Sequence, residues 1–138
     1  MAKIDETEIA SQLARIALAV DSLEAAVDGL SMYIELSEEI EWLKYRSIDG
    51  WRMLAVSDAY AELFLDGDAK KYRGQLDGVI WSKEIAAAFK ENDDEAALTP
   101  GEWLEAEEPV GGGRIFVARK MVYEADGRVY CRGKGMLL

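Results

Sequence analysis

The side chains able to do chemistry in this chain are few. It has no histidine, which removes the usual general base and the imidazole metal ligand. Cys131 is the single cysteine, so one chain can form neither a disulfide nor a multi-cysteine metal site. Carboxylates are abundant, and the run Glu91, Asp93, Asp94, Glu95 invites a calcium reading. It lacks the alternating oxygen ligands, turn glycine and terminal glutamate of a calcium loop, so it reads as a solvated helix face. Gly111-Gly112-Gly113 could cradle a phosphate, but no helix start or lysine–serine pair follows, and the triplet reads as a turn. Arg119 and Lys120 could hold an anion or pair across strands with Glu105, Glu107 and Glu108. No nucleophile elbow or pocketed carboxylate pair is visible. The expectation is a protein with no catalytic residue and no metal site.

Charge is distributed unevenly. The net charge is −11 over 138 residues. Residues 1–40 hold nine acids against Lys3 and Arg15, and residues 41–110 sixteen acids against eight bases. Residues 111–138 reverse the balance, with six bases against Glu124 and Asp126. Such an acidic chain repels phosphate backbones, so no nucleic-acid partner is expected. Half of the residues are apolar, a composition that folds. The apolar run Ile16 to Val20 is too short for a membrane span and lacks the flanks of a secretion signal. A soluble, cytoplasmic protein with no membrane partner follows.

What must position these groups begins with a helix. Ile9, Leu13, Ile16, Val20, Leu23, Val27, Leu30 and Ile34 recur in alternating steps of four and three, the heptad pattern of a narrow apolar seam. At roughly 1.5 Å per residue the seam extends about 39 Å, more than a domain of this size needs for its own core. The spacing predicts a coiled-coil segment over residues 1–37 that pairs with a second copy to form a homodimer, with a separate domain over 38–138. An ordinary amphipathic helix packing on its own domain is the competing reading. Gly29 weakens the helix locally.

Alternation with aromatic residues predicts a strand from Ile40, Asp49-Gly50 a hairpin turn, and Trp51 to Val56 the return. Ser57 caps a short helix through Phe64. Residues 69–80 read as a short helix and loops. Ser82 caps a longer helix through Leu98, stopped by Thr99-Pro100-Gly101. Three strands follow at about 102–110, 114–124 and 128–137, joined at the glycine triplet and at Asp126-Gly127. This order is that of an α+β fold with helices on one face of a five-stranded antiparallel sheet. A rival is the ketosteroid-isomerase-like cone, in which an aspartate and a tyrosine would transfer protons; it calls for more helix before the first strand pair.

The stretch Val56-Ser57-Asp58-Ala59-Tyr60-Ala61-Glu62-Leu63-Phe64, the helix Ile85 to Asp93, and the closing block Gly101 to Glu108, Arg119-Lys120 and Glu124 to Tyr130 resemble the PAS family in order and spacing. The resemblance covers about residues 40–138. It implies strand order 2-1-5-4-3, a helix before the first strand that continues as a coiled coil between subunits, and a sensory or interaction role in signal transduction. It also implies a cavity between helices and sheet, for which Trp81, Phe89, Phe116, Ala118, Val129 and Cys131 are the lining candidates. Gly133 and Gly135 share that face and leave room for either a cavity or a close neighbour.

The cofactors best known in the family do not fit. Without histidine there is no histidine-ligated haem, and the helical middle lacks the cysteine of flavin-binding members; Cys131 lies in the last strand. No cofactor is expected, an unidentified small ligand is left open, and filling of the core by the aromatic residues is the simpler reading. With Met136-Leu137-Leu138 closing the last strand, any output is expected to act on a partner protein in trans, unless the chain is cut from a longer receptor. The alternative is a purely structural dimerisation or adaptor domain.

Overall fold

Alternation, caps and turns place the elements largely where the sequence requires them. The computed structural model describes residues 23–138, with side chains from Gly29 onward. The chain runs α1 (Leu23–Leu36), β1 (Ile40–Ser47), β2 (Gly50–Val56), α2 (Asp58–Phe64), a 3-10 turn (Ala69–Lys71), α3 (Asp77–Ile80), α4 (Lys83–Ala96), β3 (Leu104–Pro109), β4 (Ile115–Ala125) and β5 (Arg128–Leu137). The five strands form one antiparallel sheet in the order β2-β1-β5-β4-β3, the order the resemblance implies.

Both predicted caps are in place. Ser57 Oγ accepts from the Tyr60 amide at 3.2 Å and Ser82 Oγ from the Ile85 amide at 3.3 Å, each satisfying an amide in the first helical turn. Ser57 Oγ also accepts from the Glu41 amide at 3.1 Å, tying the start of β1 to the start of α2. Asp126 and Gly127 form a two-residue hairpin with φ of 52° and 72°, the positive values that such a turn demands.

Three boundaries differ from the sequence reading. In the first hairpin Ser47 pairs with Gly50, so the loop is Ile48–Asp49 and Gly50 opens β2 with φ of 133°. The Asp49 carboxylate accepts from Ser47 Oγ at 2.6 Å and pairs with Arg52 at 2.7 Å, which closes the turn one residue early. Helix α4 stops at Ala96, and Ala97 and Leu98 lie in the turn that follows. Strand β3 begins at Leu104, not at Glu102.

Each face of the sheet buries a different set. The inner face, carrying Trp42, Met53, Phe116 and Ala118, packs against α2, α3 and α4 through Tyr60, Ala61, Leu65, Tyr72 and Phe89. On the outer face α1 lays Leu30 and Ile34 over Leu43, Ala55 and Tyr130. Beyond the β1–β2 pairing, the free edge of β2 is covered at Met53 by Gly74 and Gln75 through backbone bonds of 2.7 and 3.0 Å. The opposite edge strand, β3, exposes Glu105, Glu107 and Pro109.

Of the seam residues, Ile9, Leu13, Ile16 and Val20 lie outside the described residues. Leu23 and Val27 lie in α1. Leu30 and Ile34 face the chain's own sheet. The opposite side of α1 carries Met32, Tyr33 and Leu36, which are 63 %, 59 % and 77 % exposed.

Candidate functional site

The interior between sheet and helices holds a cluster of charge. Lys44 on β1 and Lys120 on β4 both point inward from the strand parity of Trp42 and Phe116. Lys44 Nζ lies 2.9 Å from Asp77 Oδ2 and 2.8 Å from Asp93 Oδ2. Lys120 Nζ lies 2.7 Å from Asp93 Oδ1 and 2.5 Å from Glu108 Oε2. Asp93 therefore bridges both lysines and fastens α4 to β1 and β4. Tyr72 donates its hydroxyl to Asp77 Oδ1 at 2.5 Å and accepts from Trp81 Nε1 at 3.1 Å. Asn92 donates to Glu108 Oε2 at 3.0 Å. Both ammonium groups also stand over the Phe89 ring, at 5.4 and 5.5 Å, within cation–π range.

At Lys44 and Asp93 burial and pairing pull the protonation equilibria in opposite directions, and pairing prevails. Burial alone would lower the Lys44 pKa, but Asp93 and Asp77 outweigh it and raise it well above the ordinary value. Burial would raise Asp93, but Lys44 and Lys120 hold its carboxyl below the usual range. Tyr60 and Tyr72 are pushed up chiefly by burial. The Cys131 thiol is likewise raised by burial and then by Asp93. Lys44 is thus a fixed cation and Cys131 a protonated thiol, so neither is an activated nucleophile. Chemically the cluster is a clamp of two ammonium groups and three carboxylates, with the Tyr72 hydroxyl and the Asn92 amide donating to Asp77 and Glu108.

The expectation that Glu91, Asp93, Asp94 and Glu95 form a solvated helix face fails at Asp93, which is fully buried. Its place follows from spacing: Phe89, Asp93 and Ala96 are the buried residues of α4, and steps of four and three put them on one face. Asp94 takes the Trp51 indole N–H at 2.9 Å. The expected ion pair of Lys120 with Glu108 is present and lies in the interior. Arg119 lies on the outer face, its guanidinium 6.0 Å from the Trp103 ring. Among the described residues no group of three or more Asp, Glu or Cys side chains is placed to hold a metal ion. No described helix is long and apolar enough to cross a membrane.

Beside the clamp lies a cavity of about 10 Å³, the room that one water needs. Trp81, Phe89 and Phe116 line it, together with Trp42, Lys44, Tyr60 and Lys120. Ala118 is buried in the same cluster behind the lining. Val129 and Cys131 instead pack with Trp51, Ala96 and Val122 toward the other end of the sheet. The space that Gly133 and Gly135 leave is filled from within: the Trp42 indole lies over Gly133 and the Phe116 ring over Gly135, so closely that a Cβ on either glycine would overlap them. Trp42 and Phe116 pack at 5.7 Å between centroids, and Phe64 meets both Trp81 and Phe116 edge-on at 5.1 and 5.9 Å. These are favourable aromatic geometries that close the core.

The sheet order and the helices on its inner face define a PAS-like fold. Two solved structures share it. A domain of an HTR-like protein from Haloarcula marismortui superposes with a TM-score of 0.53 at 18 % identity, over 70 % of this chain and 97 % of that one. The PAS domain of BvgS from Bordetella pertussis superposes with a TM-score of 0.50 at 17 % identity, over 82 % of this chain and 85 % of that one. No protein-family model matches the sequence, and no curated protein matches it.

Proposed function

We propose that this chain is a non-enzymatic PAS-like sensory and interaction module that dimerises through its N-terminal helix and acts on partner proteins in trans. The observation that carries this reading is the outward side of α1. Met32, Tyr33 and Leu36 stand exposed on a helix whose other side is already committed to the sheet, and an apolar stripe of this kind favours a partner helix. The net charge of −11 argues against a nucleic-acid partner. A buried, protonated Cys131 is compatible with a cytoplasmic setting.

The second reading, an adaptor or dimerisation domain with a filled core and no ligand, is favoured by the interior. Rings occupy the space over Gly133 and Gly135, and the remaining cavity of about 10 Å³ is far below the several hundred Å³ of ordinary ligand pockets. Interaction is therefore the better supported half of the proposal. Native mass spectrometry and sedimentation of the whole protein and of a variant lacking residues 1–35 test both halves. The expected result is a two-chain mass with no added ligand for the whole protein and a one-chain mass for the variant. An unchanged oligomeric state on truncation would remove the helix as the dimer element; a bound small molecule would restore the ligand-sensing reading.

A further inference from the structure

On the helical side of the sheet, away from α1, a groove of about 270 Å³ runs between the start of β2, α3 and α4. Trp51, Leu76, Ala86 and Ala87 give it an apolar lining, and Lys83 and Lys90 border it from α4. Ile48 and Val79, each next in sequence to a lining residue, are exposed. The two acids that reach the groove are already engaged, Asp49 with Arg52 and Asp77 with the buried Lys44. Lys90 pairs with Asp94, whereas Lys83 is in no ion pair within 4 Å among the described residues. The groove is therefore apolar with a basic rim. The outward side of α1 has the complementary make-up: Met32, Tyr33 and Leu36 are exposed, and the exposed acids Glu38 and Glu39 follow the helix directly.

We propose that this groove receives the outward side of α1 from a second copy of the chain, with Met32, Tyr33 and Leu36 on the apolar lining and Glu38 or Glu39 beside Lys83. An amphipathic helix lays its apolar side into such a groove, and opposite charges at the rim fix its direction. The small side chains of Ala86 and Ala87 let bulky residues approach α4 closely. One chain cannot make this contact with itself, because α1 packs on the outer face of the sheet and α4 on the inner. Both surfaces lie toward β2, where α1 covers Ala55 and the groove starts at Gly50. Two copies can thus give and receive a helix reciprocally and close as a pair. This inference rests on α1 being the dimer element and adds the surface that receives it.

Sedimentation of the full chain over a dilution series, with the dissociation constant as the readout, supplies the test. Ala87 and Lys83 are exposed, so substitutions there leave the fold intact, as an unchanged thermal midpoint will show. Ala87→Glu places a carboxylate in the apolar lining and is expected to weaken association about tenfold. Lys83→Glu turns the rim pair into a repulsion and should weaken it about fivefold. Combining Lys83→Glu with Glu38→Lys and Glu39→Lys restores the attraction and should return the constant to the wild-type value. Met32→Ser/Leu36→Ser reports on the helix alone. Association lost in Met32→Ser/Leu36→Ser but unchanged in Ala87→Glu and Lys83→Glu would overturn the groove and leave the helix as the dimer element. A charge exchange that restores nothing would also overturn the groove. A whole protein that stays a single chain at every concentration would overturn both the groove and the dimer.

Discussion

Two lysines from separate strands converge on the buried Asp93 carboxylate, so this one side chain joins α4 to β1 and β4. Removing one partner of a buried ion pair leaves the other charges unmatched. Asp93→Asn is expected to lower stability by about 3–5 kcal/mol in urea denaturation. The pH dependence follows from the two shifts. Asp93 has a folded pKa below its ordinary value, so its contribution is complete above that ordinary value and is lost as pH falls through the folded one. Lys44 has a raised folded pKa, so its contribution is complete below the ordinary lysine value and is lost as pH rises through the folded one. Urea midpoints should therefore show a plateau between the two, with the acid-side decline flattened in Asp93→Asn. An acid limb identical to that of the wild type would show that other carboxylates govern it. Sequence reading anticipated the Lys120–Glu108 arm of this clamp and missed Lys44, Asp77 and Asp93, because charged residues usually face water. The strand parity of Lys44 with Trp42, and of Lys120 with Phe116 and Ala118, was the available signal.

At the scale of elements, packing on the inner sheet face depends on two positions without side chains. Gly133→Ala and Gly135→Ala each drive a methyl group into an aromatic ring. Overpacking of this kind typically destabilises by about 1–3 kcal/mol. The measurable sign is a lowered thermal midpoint with altered tryptophan fluorescence for Gly133→Ala, where the indole must move. Ser57 is the corresponding polar position, joining β1 to α2 through bonds to the Glu41 and Tyr60 amides. Ser57→Ala should cost about 1–2 kcal/mol, seen as a shift in chemical denaturation; a change within error would mean that water replaces the hydroxyl. The strands, both serine caps and the Asp126-Gly127 turn were legible because they are local. The filling of Gly133 and Gly135 was not, because it depends on Trp42 and Phe116 arriving from β1 and β4, far away in sequence.

For the whole molecule, the sheet works as a partition. Its inner face is closed by rings and a buried ion-pair cluster, while its outer face carries α1, whose described side chains pack there through Leu30 and Ile34. Local stability should follow the same division, since elements with few buried apolar contacts open first. Hydrogen exchange is expected to be fastest in α1 and slowest in the β4–β5 pairing; equal protection of both would contradict it. Strand order was legible through the resemblance, which orders elements without specifying side chains. The division of labour between the two faces depends on which residues each helix covers, which is set by packing between elements far apart in sequence.

The exposed edge of the sheet limits how copies of this protein can grow into larger assemblies. Strand β3 presents Glu105, Glu107 and Pro109 outward, and a proline together with repelling carboxylates discourages the addition of another strand. The other edge is masked at Met53 by the chain's own Gly74 and Gln75. Open-ended polymerisation by sheet extension is thereby discouraged at both ends, whereas a contact made by a helix face is finite and saturates after one partner. Crowding at high concentration should therefore yield a discrete, reversible complex and not fibres, a behaviour that light scattering across a dilution series would register.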